Sequence, residues 1–226
     1  MANALSIIPI HHDGTVNPNI IRKFNGKSAL ERTVNYAQKI SNFSEIDMSQ
    51  VCVTSNDELI KDTCQTFENV FLPNRTEQEL EGALCEALKN CESHFEIEFD
   101  YIFMFEPLHP LRPAGLAKEA LELLIKNVAT DSVVCASELR GHIWIQDPNM
   151  QHFADDFSSS GGDKSDVFVE SLGLLSVANR SVVLSGKRVG NNVGLVVVDW
   201  KWRFAEIQDE KSFHLVSALE KLISTE

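Results

Sequence analysis

Hydrophobic positions along the chain switch repeatedly between two periods, and the switching predicts the fold class. Residues 4–10, ALSIIPI, form a short unbroken apolar run, the pattern of a strand covered on both faces. A polar loop follows. Then SALERTVNYAQKI sets Leu30, Thr33, Val34, Ala37 and Ile40 on one helical face, with Ser28 and Glu31 spaced as a capping box. The move recurs: QVCVTSND supplies strand-like residues 51–53, Asn56 as a helix cap, and the stripe Leu59, Ile60, Cys64 and Phe67. Thr76 and Glu79 mark the start of a third helix that buries Leu80, Leu84, Ala87 and Leu88. DYIFMF (100–105) is the next strand, GLAKEALELLIKN the next helix, and DSVVCA (131–136) the strand after it. Strands alternating with helices of this length imply right-handed crossovers and a mainly parallel sheet with helices on both faces, a three-layer α/β/α domain.

The rhythm breaks between about 140 and 180. DDFSSSGGDKSD is a Ser, Gly and Asp-rich loop, while HIWIQ and VFVESLGLLSV on either side look like strands, so an excursion from the sheet is expected there. Residues 193–199, VGLVVVD, resume the strand pattern, and an amphipathic last helix carries Phe213, Val216, Leu219 and Ile223. The expectation is one domain over residues 1–226 with that single insertion.

Composition narrows the function classes. A net charge of −13 and a pI near 5.0 oppose nucleic-acid binding, which draws on Lys and Arg against phosphates. Five cysteines, mostly on apolar positions of the expected elements, read as buried reduced thiols. No signal-peptide pattern and no run of membrane-spanning length is present, so the expectation is a soluble, cytoplasmic protein without a membrane partner.

Ligands of open α/β sheets bind beyond the carboxyl ends of the strands, which directs attention to loops 11–27, 55–57, 106–113 and 205–210. Their motifs, IPIHHDGTVNPNIIRKFNGK, VTSNDELI, FMFEPLHPLRP, DSVVCASEL and AEIQDEKSF, resemble in order those of the acylneuraminate cytidylyltransferases, the CMP-sugar synthetases. The resemblance implies a Rossmann-like fold of the nucleotide-diphospho-sugar transferase type, with the excursion as a dimerisation element of a homodimer. It also implies transfer of CMP from CTP to an acidic, sialic-type sugar, with Mg²⁺ as cofactor and pyrophosphate as leaving group.

Carried over residue by residue, the resemblance places His11, His12, Asp13, Gly14, Thr15, Lys23 and Arg75 at the nucleotide. Arg22, Lys27 and Glu206 take catalytic positions, Glu106, His109 and Arg112 face the sugar, and Glu206 with Asp209 holds the metal. The substitutions are chemically pointed. A triphosphate wants cations around the shifting charge, yet His11 and Thr15 stand where the family has Arg and Lys, and Asp13 adds a carboxylate. Gln208 replaces a metal-binding aspartate. Arg22, Lys23 and Lys27 remain as compensating charge.

Each residue also has a plainer role. Adjacent His11 and His12 after a strand point to opposite faces and make a poor metal pair. Glu206 and Asp209 precede a helix, where its dipole favours carboxylates. Arg112 equally suits tying strand to helix, and Trp144, Trp200 and Trp202 suit packing. Two readings therefore stand open, an active cytidylyltransferase with a rebuilt loop and an impaired relative serving as a nucleotide-binding or partner module. A glycosyltransferase-like protein would want an Asp-x-Asp pair after a central strand, where this chain has EPLHP.

Overall fold

The opening apolar run forms β1 (Ala2–Pro9), the central strand of a sheet seen in a computed structural model that describes residues 2–10, 17–139, 144–146, 151–153 and 167–223. β1 pairs in parallel with β4 (Ile46–Thr54) on one side and β6 (Tyr101–Met104) on the other. β5 (Val70–Phe71) extends the β4 edge. Beyond β6 lie the antiparallel β11 (Ser176–Asn179), then β7 (Ser132–Glu138), and then β12 (Val193–Val197), parallel to β7. β10 (Phe168–Glu170) pairs antiparallel with the far end of β7. Two small hairpins stand apart, β2 (Lys23–Phe24) with β3 (Lys27–Ser28), and β8 (Trp144–Gln146) with β9 (Gln151–Phe153).

Helices cover both faces, as the alternating periods require. α1 (Ala29–Gln38), α4 (Leu116–Lys126) and α7 (Glu210–Ile223) pack over Ala4, Ile8, Phe103 and Val133. α3 (Leu80–Phe95) and α5 (Arg180–Leu184) pack over Leu5, Ile7, Ile102 and Met104. α2 (Glu58–Cys64) and α6 (Trp200–Arg203) are short connectors. The side assignment follows from the strand period, which sends successive residues of β1 to opposite cores. The expected three-layer α/β/α domain with a mainly parallel sheet is the fold observed.

Local signals are mostly realised and partly reassigned. Ser28 caps α1 by accepting from the Glu31 amide at 3.1 Å. The cap of α2 is Asp57, which accepts from the Ile60 amide, not Asn56, and Leu59 is exposed. The Thr76–Glu79 box does not form. Instead the Glu86 carboxylate reaches back past the start of α3 to the Thr76 and Glu77 amides and the Thr76 hydroxyl. Within the stretch read as an excursion, β10 and β11 return to the main sheet, separated by a turn at Gly173. The loop of residues 154–166 lies outside the described residues. The five cysteines are free, and burial pushes the Cys64 and Cys135 thiols up to about 12, in keeping with packing roles. No helix among the described residues is long and apolar enough to cross a membrane.

Candidate functional site

Strand order reverses at β1, and the crevice outside the carboxyl ends of β1 and β6 is the place where open α/β sheets take ligands. A cavity of ≈ 300 Å³ lies there, lined by Pro9, Ile10, Asn17, Leu80, Pro107 and Leu108, with Glu79 and Glu106 also on its wall. Its size is at the lower end of the range for small-molecule sites. Residues 10 and 17, which bracket the altered loop, both line it. His11, His12, Asp13, Gly14 and Thr15 themselves lie outside the described residues. A wider hollow of ≈ 660 Å³ lies between the ends of β7 and β12, away from the switch point.

Three loops are cross-linked around the cavity. Asn17 caps the short turn Pro18–Ile20 through the Asn19 amide, and its Nδ2 donates to the carbonyls of Ile207 (3.1 Å) and Gln208 (3.2 Å). The Ile207 amide in turn donates to the Leu108 carbonyl at 2.8 Å. Asn17 was not singled out from the sequence, although Asn-Pro is a recognised turn opener.

The arginines expected at the ligand are committed to the fold. Arg75 is buried and donates to the carbonyls of Ile10, Thr54, Glu77 and Gln78, so it clasps the ends of β1 and β4 to the loop before α3. Arg112 donates to the carbonyls of Leu174, Glu106 and Gly173 and to the Thr33 hydroxyl. Arg22 forks onto Glu210 and lies 4.2 Å over the Phe213 ring. Lys23 and Lys27 are exposed on the β2/β3 hairpin, whose Asn25-Gly26 turn has both residues at positive φ.

Glu106 is the distinctive group of the crevice. Burial, the like charge of Glu206 and, less strongly, Glu170 raise its carboxyl above the usual range, opposed by Arg188 and Arg112. No described residue donates a hydrogen bond to that carboxylate. Its place depends on Gly173, which has φ +84° and where an added Cβ would stand 2.6 Å from Glu106 Oε2 and 2.9 Å from its Cβ. Gly173→Ala is therefore expected to cost about 1–3 kcal/mol in urea unfolding and to displace Glu106. A fully wild-type midpoint would contradict that geometry.

His109 is buried and neutral. One ring nitrogen bonds the Leu172 backbone, Nδ1 has no partner, and burial beside Arg112 holds its pKa down at about 4. It serves the loop and does not line the cavity.

The two carboxylates expected at a metal both have protein hydrogen-bond partners. Asp209 caps α7, accepting from the Ser212 amide and hydroxyl at 2.8 Å, and those bonds lower its pKa. Glu206 accepts from Gln208 Nε2 at 3.1 Å. No group of three His, Cys, Asp or Glu residues suited to a cation occurs among the described residues.

No protein-family model matches the chain, and no curated protein matches its sequence. Its fold does have solved counterparts. The structure of 4-diphosphocytidyl-2C-methyl-D-erythritol synthase from Anaerococcus prevotii superposes with a TM-score of 0.68 at 15% identity, over 97% of this chain and 96% of that one. CMP:2-keto-3-deoxy-manno-octonic acid synthetase, solved with CTP, gives 0.68 at 10% identity over 98% and 100%. The 2-C-methyl-D-erythritol 4-phosphate cytidylyltransferase of Francisella tularensis gives 0.66 at 12% over 96% and 99%. At these identities the likeness establishes a shared fold spanning essentially the whole of each chain.

Proposed function

We propose that the protein is a nucleotidyltransferase that passes a cytidylyl group from CTP to a hydroxyl of a sugar acceptor, releasing pyrophosphate. The observation that carries the reading is the cavity at the switch point, bracketed by residues 10 and 17 of the loop that follows β1. The CTP bound in the like-folded CMP:2-keto-3-deoxy-manno-octonic acid synthetase and the cytidylyl names of the other two enzymes support the choice of CTP. In the proposed step the acceptor oxygen attacks the α-phosphorus as the bond to the pyrophosphate oxygen breaks. Lys23 and Lys27, exposed on the hairpin that continues from this loop, are the cations proposed for the phosphates. Magnesium belongs here to the incoming triphosphate, as part of the substrate. The acidic-sugar expectation leaned on Arg112, whose donors are turned to carbonyls. The reading carried forward is therefore transfer to a sugar hydroxyl. A homodimer remains part of the proposal by resemblance.

The commitment of Arg22, Arg75 and Arg112 to protein partners favours a second reading, an impaired relative that binds nucleotide without turning it over. Calorimetric titration with CTP, ATP, GTP and UTP, each with and without Mg²⁺, separates the two when followed by a pyrophosphate-release screen. Selective CTP binding with pyrophosphate release is the expected result. CTP binding without release favours the second reading, and no nucleotide binding at millimolar concentration removes both.

A further inference from the structure

We propose that two copies of the chain join through the outer edge of β12, strand against strand, about a two-fold axis beside Leu195. Among the described strands β12 has β7 alone as its neighbour, so its other side is an edge of the sheet. The Val198 amide donates to the Ala136 carbonyl at 2.8 Å, and β12 follows β7 in unbroken register. In a parallel ladder alternate residues turn both backbone groups to the same neighbour. Gly194, Val196 and Val198 therefore face β7, while Val193, Leu195 and Val197 turn their N–H and C=O groups outward. The side chains of those three residues are 41%, 41% and 56% exposed, whereas Val196 and Val198 are buried. The strand thus presents an apolar row and an unpaired backbone together, with no Lys, Pro or bulge of the kind that keeps an edge single.

Backbone geometry and charge both name a second copy as the occupant. A two-fold axis perpendicular to the sheet sets Leu195 opposite itself and Val193 opposite Val197 of the other copy. Every one of these positions has outward backbone groups, so each pair can exchange both of its hydrogen bonds, and the apolar side chains of both copies meet on one face. That self-match is what an isologous dimer requires. The chain carries a net charge of −13, so copies repel one another over most approaches, yet residues 189–198 hold no charged side chain. Beyond them stand Arg188, which is forked onto Glu170, and Asp199. Antiparallel pairing sends the two Asp199 carboxylates to opposite ends of the paired strands and sets each beside the exposed amide of Asn191 of the other copy. The inference gives a surface to the homodimer of the reading above but rests on this strand alone, and its test uses no nucleotide, so the two stand or fall separately.

Sedimentation equilibrium of the full chain tests the idea, with the wild type expected to dimerise at a dissociation constant on the order of micromolar. Leu195→Lys places like charges together on the axis, and Val197→Pro removes an outward N–H that β7 does not use, a change an edge strand tolerates. Each is expected to raise the dissociation constant at least about tenfold while the urea midpoint of the monomer holds, and Leu215→Lys, on the exposed face of α7, to leave it unchanged. Register is tested by rescue. Val193→Lys alone is expected to weaken the dimer, and adding Val197→Glu to restore it, because the pairing sets each lysine opposite a glutamate of the other copy. A wild type that stays monomeric up to about 100 μM, a dimer unmoved by Leu195→Lys or by Val197→Pro, or a double variant no tighter than Val193→Lys would each overturn the proposal.

Discussion

Arg112→Leu is expected to lose about 3 kcal/mol of stability in urea unfolding, a large share of the roughly 5–15 kcal/mol that holds a domain of ordinary size. The side chain is enclosed where three segments meet. Its Nε donates to the Leu174 carbonyl at 2.6 Å, Nη2 to the Glu106 carbonyl at 2.8 Å, and Nη1 to the Thr33 hydroxyl at 3.2 Å. The guanidinium also lies over the rings of Phe105 and Tyr36, at 5.2 and 5.8 Å. Burial lowers its pKa to about 10, so it stays charged at neutral pH. The Glu106 and Gly173 carbonyls each keep one backbone donor, from His109 and Glu106, when the arginine is removed. The Leu174 carbonyl keeps no backbone donor among the described residues, and an orphaned buried carbonyl alone costs about 1–3 kcal/mol. Arg112→Lys retains charge but offers no planar fork, and is expected to recover less than half of the loss. A leucine variant within 1 kcal/mol of wild type would show that the fork is dispensable for the fold and would return Arg112 to the ligand.

That outcome matters because the sequence alone leaves the role of Arg112 undecided. A family-like position after a central strand marks the residue, but its partner carbonyl at Leu174 lies 62 residues downstream, beyond any local pattern. The same distance problem hides the crevice wall. Glu106 is legible as a loop residue, yet its dependence on Gly173 emerges only when β11 lies beside β6. Local features fared according to how much competition they met. β1 was legible because an apolar run between polar flanks has one good solution, and Ser28 because its partner is three residues away. Asn56 and Asp57 both suit a cap, and the choice is made by a turn in which the Ser55 hydroxyl accepts from the Asp57 amide. Thr76 carried the right signal for a helix start, but Glu86 takes the place of Glu79 because its position brings one carboxylate to two amides and a hydroxyl at once. Asp209 meets a similar competition, because with Ser212 three residues on it makes a helix cap that uses its carboxylate.

Lowering the pH from 6.5 to 4 is expected to cost the wild-type protein about 3 kcal/mol more than it costs His109→Asn. The imidazole is held neutral by burial and by the neighbouring Arg112 charge, with its folded pKa pulled down to about 4 from an ordinary value of 6.5. Above pH 6.5 the ring is neutral in both states and contributes no pH dependence. Between 6.5 and 4 the unfolded chain binds a proton that the folded one refuses, so stability falls as pH falls, by about 1.4 kcal/mol per unit at the steepest. Below 4 both states are protonated and the loss is complete. Asparagine keeps a donor for the Leu172 carbonyl and has no proton to gain in this window, so the comparison cancels carboxylates that titrate alike in both proteins. The measurement is urea unfolding at half-unit steps across the range, read as the difference between the two proteins. Parallel curves would mean that the ring is protonated in place, its unpartnered Nδ1 serving as the proton's site, and that Arg112 does not press on it. Diverging curves would make His109 the residue through which acid loosens the loop 106–112, the same loop that presents Glu106 to the crevice.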